Sequence, residues 1–356
     1  MRRWVHVCVL QDKVAVMKLA IPSGLGLVLA SFLIPGGFAQ QSEQAVPAQT
    51  TIRVQSSLVL VDVITQGPKN GLPVRDFKKE DFRVYDNGHE VPITSFDAGA
   101  RYDTRPVVLW LVVLCNEGGK IGGSAQFVGK ETLFRPALDY LDKHDAVGVA
   151  HWCDNGEALL DLLPTADREN PIKMLAEEVK PIPFHVGRNS NLVGEATFRK
   201  LIRLVIQDAH RRNPQPLPVI VFLDGDYTGQ PLRELDELVD DFLGTSGIVF
   251  GIKDSHSPAV PRMGNGEQGE ILHYMADQTG GQFFSAPPTG YAAALGMILM
   301  QLHFRYELGF IPPAIDGKRH ALKVELTNEV REKYKGLLLK FRPEYIPVRE
   351  EPAWAG

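Results

Sequence analysis

From Arg105 onward the sequence is a succession of short apolar runs, each followed by a longer stretch with apolar residues at helical spacing. This alternation constrains the fold most, because strands that read as unbroken Val, Ile and Leu are buried on both faces and need helices to cover them. The runs are Val107 to Leu114, Ala146 to Trp152, Ala158 to Pro164, Val219 to Leu223 and Gly247 to Ile252. Between them, "ETLFRPALDYLDKH", "ATFRKLIRLVIQDAHRR" and "LRELDELVDDFLG" repeat apolar residues every three or four positions. "EILHYMADQTGGQFF" predicts a helix from about Glu270, stopped at Gly280-Gly281 and followed by a short strand, and "YAAALGMILMQLHFRY" a last helix. The expected class is α/β: a three-layer, doubly wound, mostly parallel sheet with helices on both faces.

The flanks read differently. In "TIRVQSSLVLVDVIT", Val59, Val61 and Val63 fall at every second position, which is strand patterning. "FRVYD", the Asn87-Gly88 turn and "VPITSF" predict a hairpin. After the α/β region come "FRYELGFIPP", a turn at Asp316-Gly317, "ALKVELT" and "KGLLLKFRPEYI". Each flank is too short to bury a core alone, so both are expected to pair into one small β module. The expected organisation is a targeting segment (1–39), a linker (40–50), an N-terminal β segment (51–100), the α/β domain (104–300), a C-terminal β segment (301–346) and a tail (347–356).

At the amino terminus, Lys18 precedes "LAIPSGLGLVLASFLIPGGFA", and Gly37-Phe38-Ala39 places small residues where a signal peptide is cut. Met17 is the more natural start of such a signal, and an uncleaved membrane anchor is its alternative. The expected location is exported, periplasmic or extracellular. Removing residues 1–39 takes away four basic residues and one acid, moving the formal charge from −5 to −8. The basic residues are scattered, which excludes the clustered face that a nucleic-acid partner requires. Cys8 leaves with the signal, so Cys115 and Cys153 alone remain in an oxidising compartment, a number that suggests one disulfide.

Chemistry-bearing residues gather at the carboxyl ends of the apolar runs, where open α/β sheets place their ligand sites. They are Cys115, Asn116 and Glu117 after the first, Asp154 after the second, and Asp224 and Asp226 in "VIVFLDGDYTG" after the fourth. Ser190, in the "GRNSN" loop before a helix, adds a hydroxyl. Converging oxygens of this kind suit a hard cation such as Mg²⁺, although acids also cap helices and solubilise loops. Cys115 has His144 and His151 within imaginable reach, but no nucleophile signature accompanies them. No glycine stretch follows the strand-glycine-helix order of a phosphate cradle, and the expectation is a protein that is not an enzyme. Asp254 to Glu270 reads as a long polar loop, either a mobile surface or a partner contact.

In order, the apolar strand from Val107, "DAVGV" at Asp145, "FLDGD" at Phe222 and "LHYMADQTGGQFF" at Leu272 resemble the landmarks of a von Willebrand factor A domain. "GLPVRDFKKEDFRVYDNGHEVPITSF" and "FRYELGFIPPAIDGKRHALKVEL" resemble the leading and trailing segments of VWFA-related proteins of the acidobacterial type. The resemblance covers nearly everything from Thr51 to Ile346. It implies adhesion or assembly with a protein partner, or self-association as an envelope subunit, through the carboxyl edge of the sheet.

The resemblance also implies a metal-ion-dependent adhesion site, with Asp-x-Ser-x-Ser after the first strand, and here the aligned residues are Cys115, Glu117 and Gly119. The next ligand, a Thr, would fall near Ser190 or Asn191, and the last, an Asp, matches Asp224. Losing one carboxylate and two hydroxyls leaves too few oxygens for Mg²⁺ unless Glu117 and Asp226 rebuild the site. The expectation is a degenerate site with no cofactor, and Glu117, Ser190, Asp224 and Asp226 as the ligands if Mg²⁺ binds. In the family's fold the first two strands are parallel neighbours, which implies a Cys115–Cys153 disulfide; two buried thiols are the alternative.

Overall fold

The structure is a computed structural model that describes residues 58–99, 105–115, 134–153, 158–176, 190–212, 216–223, 232–255 and 271–347. The targeting segment, linker and tail lie outside the described residues.

Val107 to Val113 are the first seven residues of β5 (Val107–Cys115), and every one of them is buried. Their alternation divides the domain into layers. Leu109, Leu111 and Val113 pack with α1 (Arg135–Leu138), α2 (Glu169–Ala176) and α6 (Tyr291–His303). Val108, Trp110 and Val112 pack with α3 (Ser190–Arg211), α4 (Leu232–Leu243) and α5 (Ile271–Thr279). Helices thus cover both faces, which is why the strand has no polar face.

Around β5 lie β6 (Ala146–Cys153), β7 (Ala158–Thr165), β8 (Leu217–Leu223), β9 (Ile248–Asp254) and β10 (Phe283–Ala286), in the order β10-β9-β8-β5-β6-β7. Counted within the sheet this is 3-2-1-4-5-6, doubly wound, with β7 alone antiparallel to its neighbour. The three-layer, doubly wound, mostly parallel class expected from the sequence is the one observed.

The flanks make one β module, also as expected. From the N-terminal side come β1 (Val59–Gln66), β2 (Phe82–Asp86), β3 (His89–Val91) and β4 (Ile93–Asp97); from the C-terminal side, β11 (Tyr306–Phe310), β12 (His320–Leu326), β13 (Leu338–Lys340) and β14 (Glu344–Tyr345). They form two four-stranded sheets, β13-β1-β11-β4 and β14-β12-β2-β3. Because β3 runs into β4 at Pro92, and β13 into β14 through 341–343, the two sheets join at both sides into a closed ring. In the ladders β3, β4, β13 and β14 each have a single partner strand, and the two sheets enclose one apolar core. β1 finds both its partners, β11 and β13, in the other flank, so neither half completes a sheet alone.

Three expectations are corrected. "VPITSF" is not one returning strand: only His89–Val91 pairs with β2, and beyond Pro92 the chain crosses to pair with β11. "KGLLLKFRPEYI" is likewise split, at 341–343. Ser190 is the first residue of α3 rather than part of a preceding loop.

The barrel sits at the amino-terminal edge of the six-stranded sheet. The described hydrogen bonds and ion pairs between them involve Arg105 just before β5, α4 from Asp236 onward and the link to β9, Gln282 before β10, or the end of α6. Apart from the end of α6, which leads into β11, these segments feed the amino ends of parallel strands. The close approach at Gly281, where a Cβ would lie 1.8 Å from the Val249 carbonyl oxygen, shows how tightly this edge is packed.

Candidate functional site

β5, β6, β8 and β9 are parallel, so the chain leaves all four at the same, carboxyl-terminal edge. Cys115 and Cys153 are the last residues of β5 and β6 and are Cα partners in the ladder. Asp224 directly follows Leu223, the last residue of β8. Glu117, Asp224 and Asp226 themselves lie outside the described residues, as does most of the Asp254 to Glu270 loop. The topology thus gives one edge the segments that carry the candidate residues, but no ligand geometry. Among the described residues no group of three His, Cys, Asp or Glu side chains could hold a metal. No described helix is long and apolar enough to cross a membrane.

The opposite edge carries a charged centre whose geometry is on view. Asp62, on β1, is buried and accepts from Arg105 Nη2 at 2.6 Å and from Arg305 Nε at 2.7 Å. Arg305 also donates to the Leu302 and Arg105 carbonyls, closing the C-terminus of α6 onto the start of β5. Arg342 donates to the carbonyls of Leu60 and Leu243. Burial alone would raise the Asp62 pKa, but the Arg105 and Arg305 charges and the Arg305 hydrogen bond outweigh it and hold the carboxyl below its ordinary range. Burial pushes Arg342 down to about 10, against the opposing pull of Asp62.

Two carboxyls at this edge shift the other way. Glu307 is raised by burial, which exceeds the effect of Arg105; their Oε2 and Nε are 3.5 Å apart, and neither atom makes a hydrogen bond. Asp145 is also raised by burial, although it accepts the backbone N–H groups of Val107 and Asp142 at 2.7 and 2.8 Å. A shallow depression here is lined by Arg105, Tyr140, Asp142, Asp145, His303 and Arg305. Its arginines are held by Asp62, and Arg305 also by backbone carbonyls, while Asp145 is held by backbone N–H groups, so the arrangement fits a junction better than a reaction centre.

The sequence reading missed this junction, although β1 carried a signal. Beside the inward set Val59, Val61 and Val63, the alternate residues Leu60, Asp62 and Ile64 are apolar around a single acid. Ile64 belongs to the core of the α/β domain, so β1 is buried on both faces and its acid must be paired.

No family model matches the chain, and no curated protein matches it. Among solved structures, it is similar to BatB from Bacteroides thetaiotaomicron (15% identity, 55% of this chain and 97% of that one, TM-score 0.36). It is also similar to an aerotolerance-related membrane protein from Bacteroides fragilis (14% identity, 54% and 98%, TM-score 0.35). A third similarity is to proximal thread matrix protein 1 from the mussel byssus, in a structure with a zinc-occupied MIDAS motif (10% identity, 61% and 49%, TM-score 0.37).

Proposed function

We propose that this is an exported, non-catalytic binding protein of adhesion or scaffold type, which meets a protein partner through the carboxyl-terminal edge of its von Willebrand A-like sheet, without a metal ion. The observation that carries the reading is the position of the barrel. Its described contacts take up the amino-terminal edge, and the opposite edge is where doubly wound sheets bind. Cys115, Glu117 and Gly119 stand where the resemblance requires ligand oxygens, so the partner is held by the loops themselves. Mutation of Asp224 then leaves affinity nearly unchanged.

Photoreactive residues placed one at a time at 117, 226 and 323 in the full chain, expressed in its host, test the edge. Lys323 lies on the exposed outer side of the barrel. Adducts with another protein are expected from 117 and 226 and not from 323. Adducts from 323 alone would overturn the reading, and adducts solely with a second copy would make the chain a self-associating envelope subunit.

A Cys115–Cys153 disulfide is part of the same proposal. Adjacent strands are about 4.8 Å apart, within the usual Cα range of a disulfide, and the two residues are Cα partners. The exported protein is expected to weigh two hydrogens less than the reduced chain and to resist alkylation until reduced. Two thiols that alkylate readily without reductant would contradict the bond and reopen a thiol enzyme at Cys115.

A further inference from the structure

His320, at the start of β12, is buried with both ring nitrogens facing carboxylates. Nδ1 is 2.8 Å from Asp86 Oδ1 and Nε2 is 3.1 Å from Asp316 Oδ1. A neutral imidazole has only one N–H, so it would set a lone pair against one of these acceptors. The geometry therefore calls for the imidazolium, which donates to both. The carboxylates are not equivalent: the Asp86 side chain is 4% exposed and that of Asp316 is 41% exposed.

We propose that His320 is a proton-operated latch on loop 311–319: as an imidazolium it ties Asp316 to the buried Asp86, and as a neutral ring it keeps Asp86 and releases Asp316. The asymmetry follows from solvation. Losing its N–H donor would leave Asp86 charged in a place water does not reach, whereas Asp316 can be hydrated where it stands. The remaining proton therefore stays on Nδ1. The loop released in this way carries Ile311 and Ile315, at 50% and 41% exposure, beside Leu58 at 43%. An apolar tip is thus held in place on the acid side and freed on the alkaline side.

The groups around the ring support this direction. Asp86 faces it from β2, Asp316 from the loop, and the Tyr345 hydroxyl from β14 at 3.4 Å. The nearby cations are engaged elsewhere: Arg319 with Asp240 and Glu344, and Arg342 with carbonyls. Lys318 is the exception, its backbone N–H sharing Asp316 Oδ1. Burial works to lower the His320 pKa, but the hydrogen bonds and charges of Asp86 and Asp316 overcome it and raise it. A raised folded value stabilises fully below the ordinary histidine pKa of about 6.5, and the contribution is lost as pH rises through the folded value.

The test is an NMR titration of His320 in the mature full chain, with protection of loop amides followed over the same pH range and corrected for intrinsic exchange. His320 is expected to titrate above about 6.5, and loop protection to fall several-fold in the same step while β2 and β12 stay protected. Asp316→Asn, at an exposed position, should lower the midpoint and abolish the step in loop protection without unfolding the barrel. A His320 midpoint at or below the ordinary value, a loop whose protection does not follow it, or an Asp316→Asn chain that keeps the step would each overturn the latch.

Discussion

Asp62→Ala is expected to lower global stability by about 3–5 kcal/mol, the range for removing one partner of a buried ion pair. Its carboxylate is 4% exposed and is the acceptor that both Arg105 and Arg305 reach. Without it, Arg305 remains buried with carbonyl partners only, and Arg342 loses the negative charge that most offsets its burial. Urea unfolding at neutral pH measures the loss, and a change below about 1 kcal/mol would mean the junction does not depend on this acid. The pH dependence has a definite sign. Because the folded pKa of Asp62 is depressed, its contribution is present above the ordinary aspartate value of about 3.9 and is lost as pH falls through the folded value. The gap between wild type and variant should therefore close in acid.

Trp110→Ala is expected to cost about 3–5 kcal/mol through the cavity it leaves. Trp110 is fully buried in the middle of β5, opposite Gly148 of β6, where a Cβ would come within 2.8 Å of the indole. The missing side chain at Gly148 is what admits the ring. Its indole N–H has no acceptor among the described residues, so truncation removes volume without orphaning a partner. Since Arg105 and Arg305 join this domain to β1, barrel and sheet should unfold in one transition, seen alike by backbone and aromatic probes. A variant losing less than about 1 kcal/mol, or showing two separated transitions, would contradict that coupling.

Much of this architecture is legible in the chain. Fully apolar runs such as Val107 to Leu114 announce parallel strands, and the observed ends differ from the expected ones by no more than two residues. The places where local pattern misleads have physical causes. Alternation continues through "VPITSF", but Pro92 lacks an N–H, and the ladder changes sheet there. "ENPIKMLA" forms two turns of helix (α2) that its short apolar pattern did not announce, with Pro171 in the first turn where a missing N–H costs nothing. The acid at Asp62 becomes explicable only when both faces of β1 are seen to be covered. At the candidate site, the resemblance implied that Cys115 and Cys153 end neighbouring parallel strands, and the two residues are Cα partners in the ladder; the disulfide between them is a proposal. Glu117, Asp224 and Asp226 lie beyond strand ends outside the described residues, so their role rests on sequence and resemblance.

The central claim, an adhesion edge that has given up its metal ion, is tested most directly by calorimetric titration of the mature chain from Gln40 with Mg²⁺ and Mn²⁺, beside Asp224→Asn and Glu117→Gln. Folded protein that gives no binding heat with either ion is the result expected, and it would mark "CNEGG" as a retired ligand segment. Saturable binding that disappears in both variants would contradict the claim and make Glu117 a replacement ligand in a working metal site.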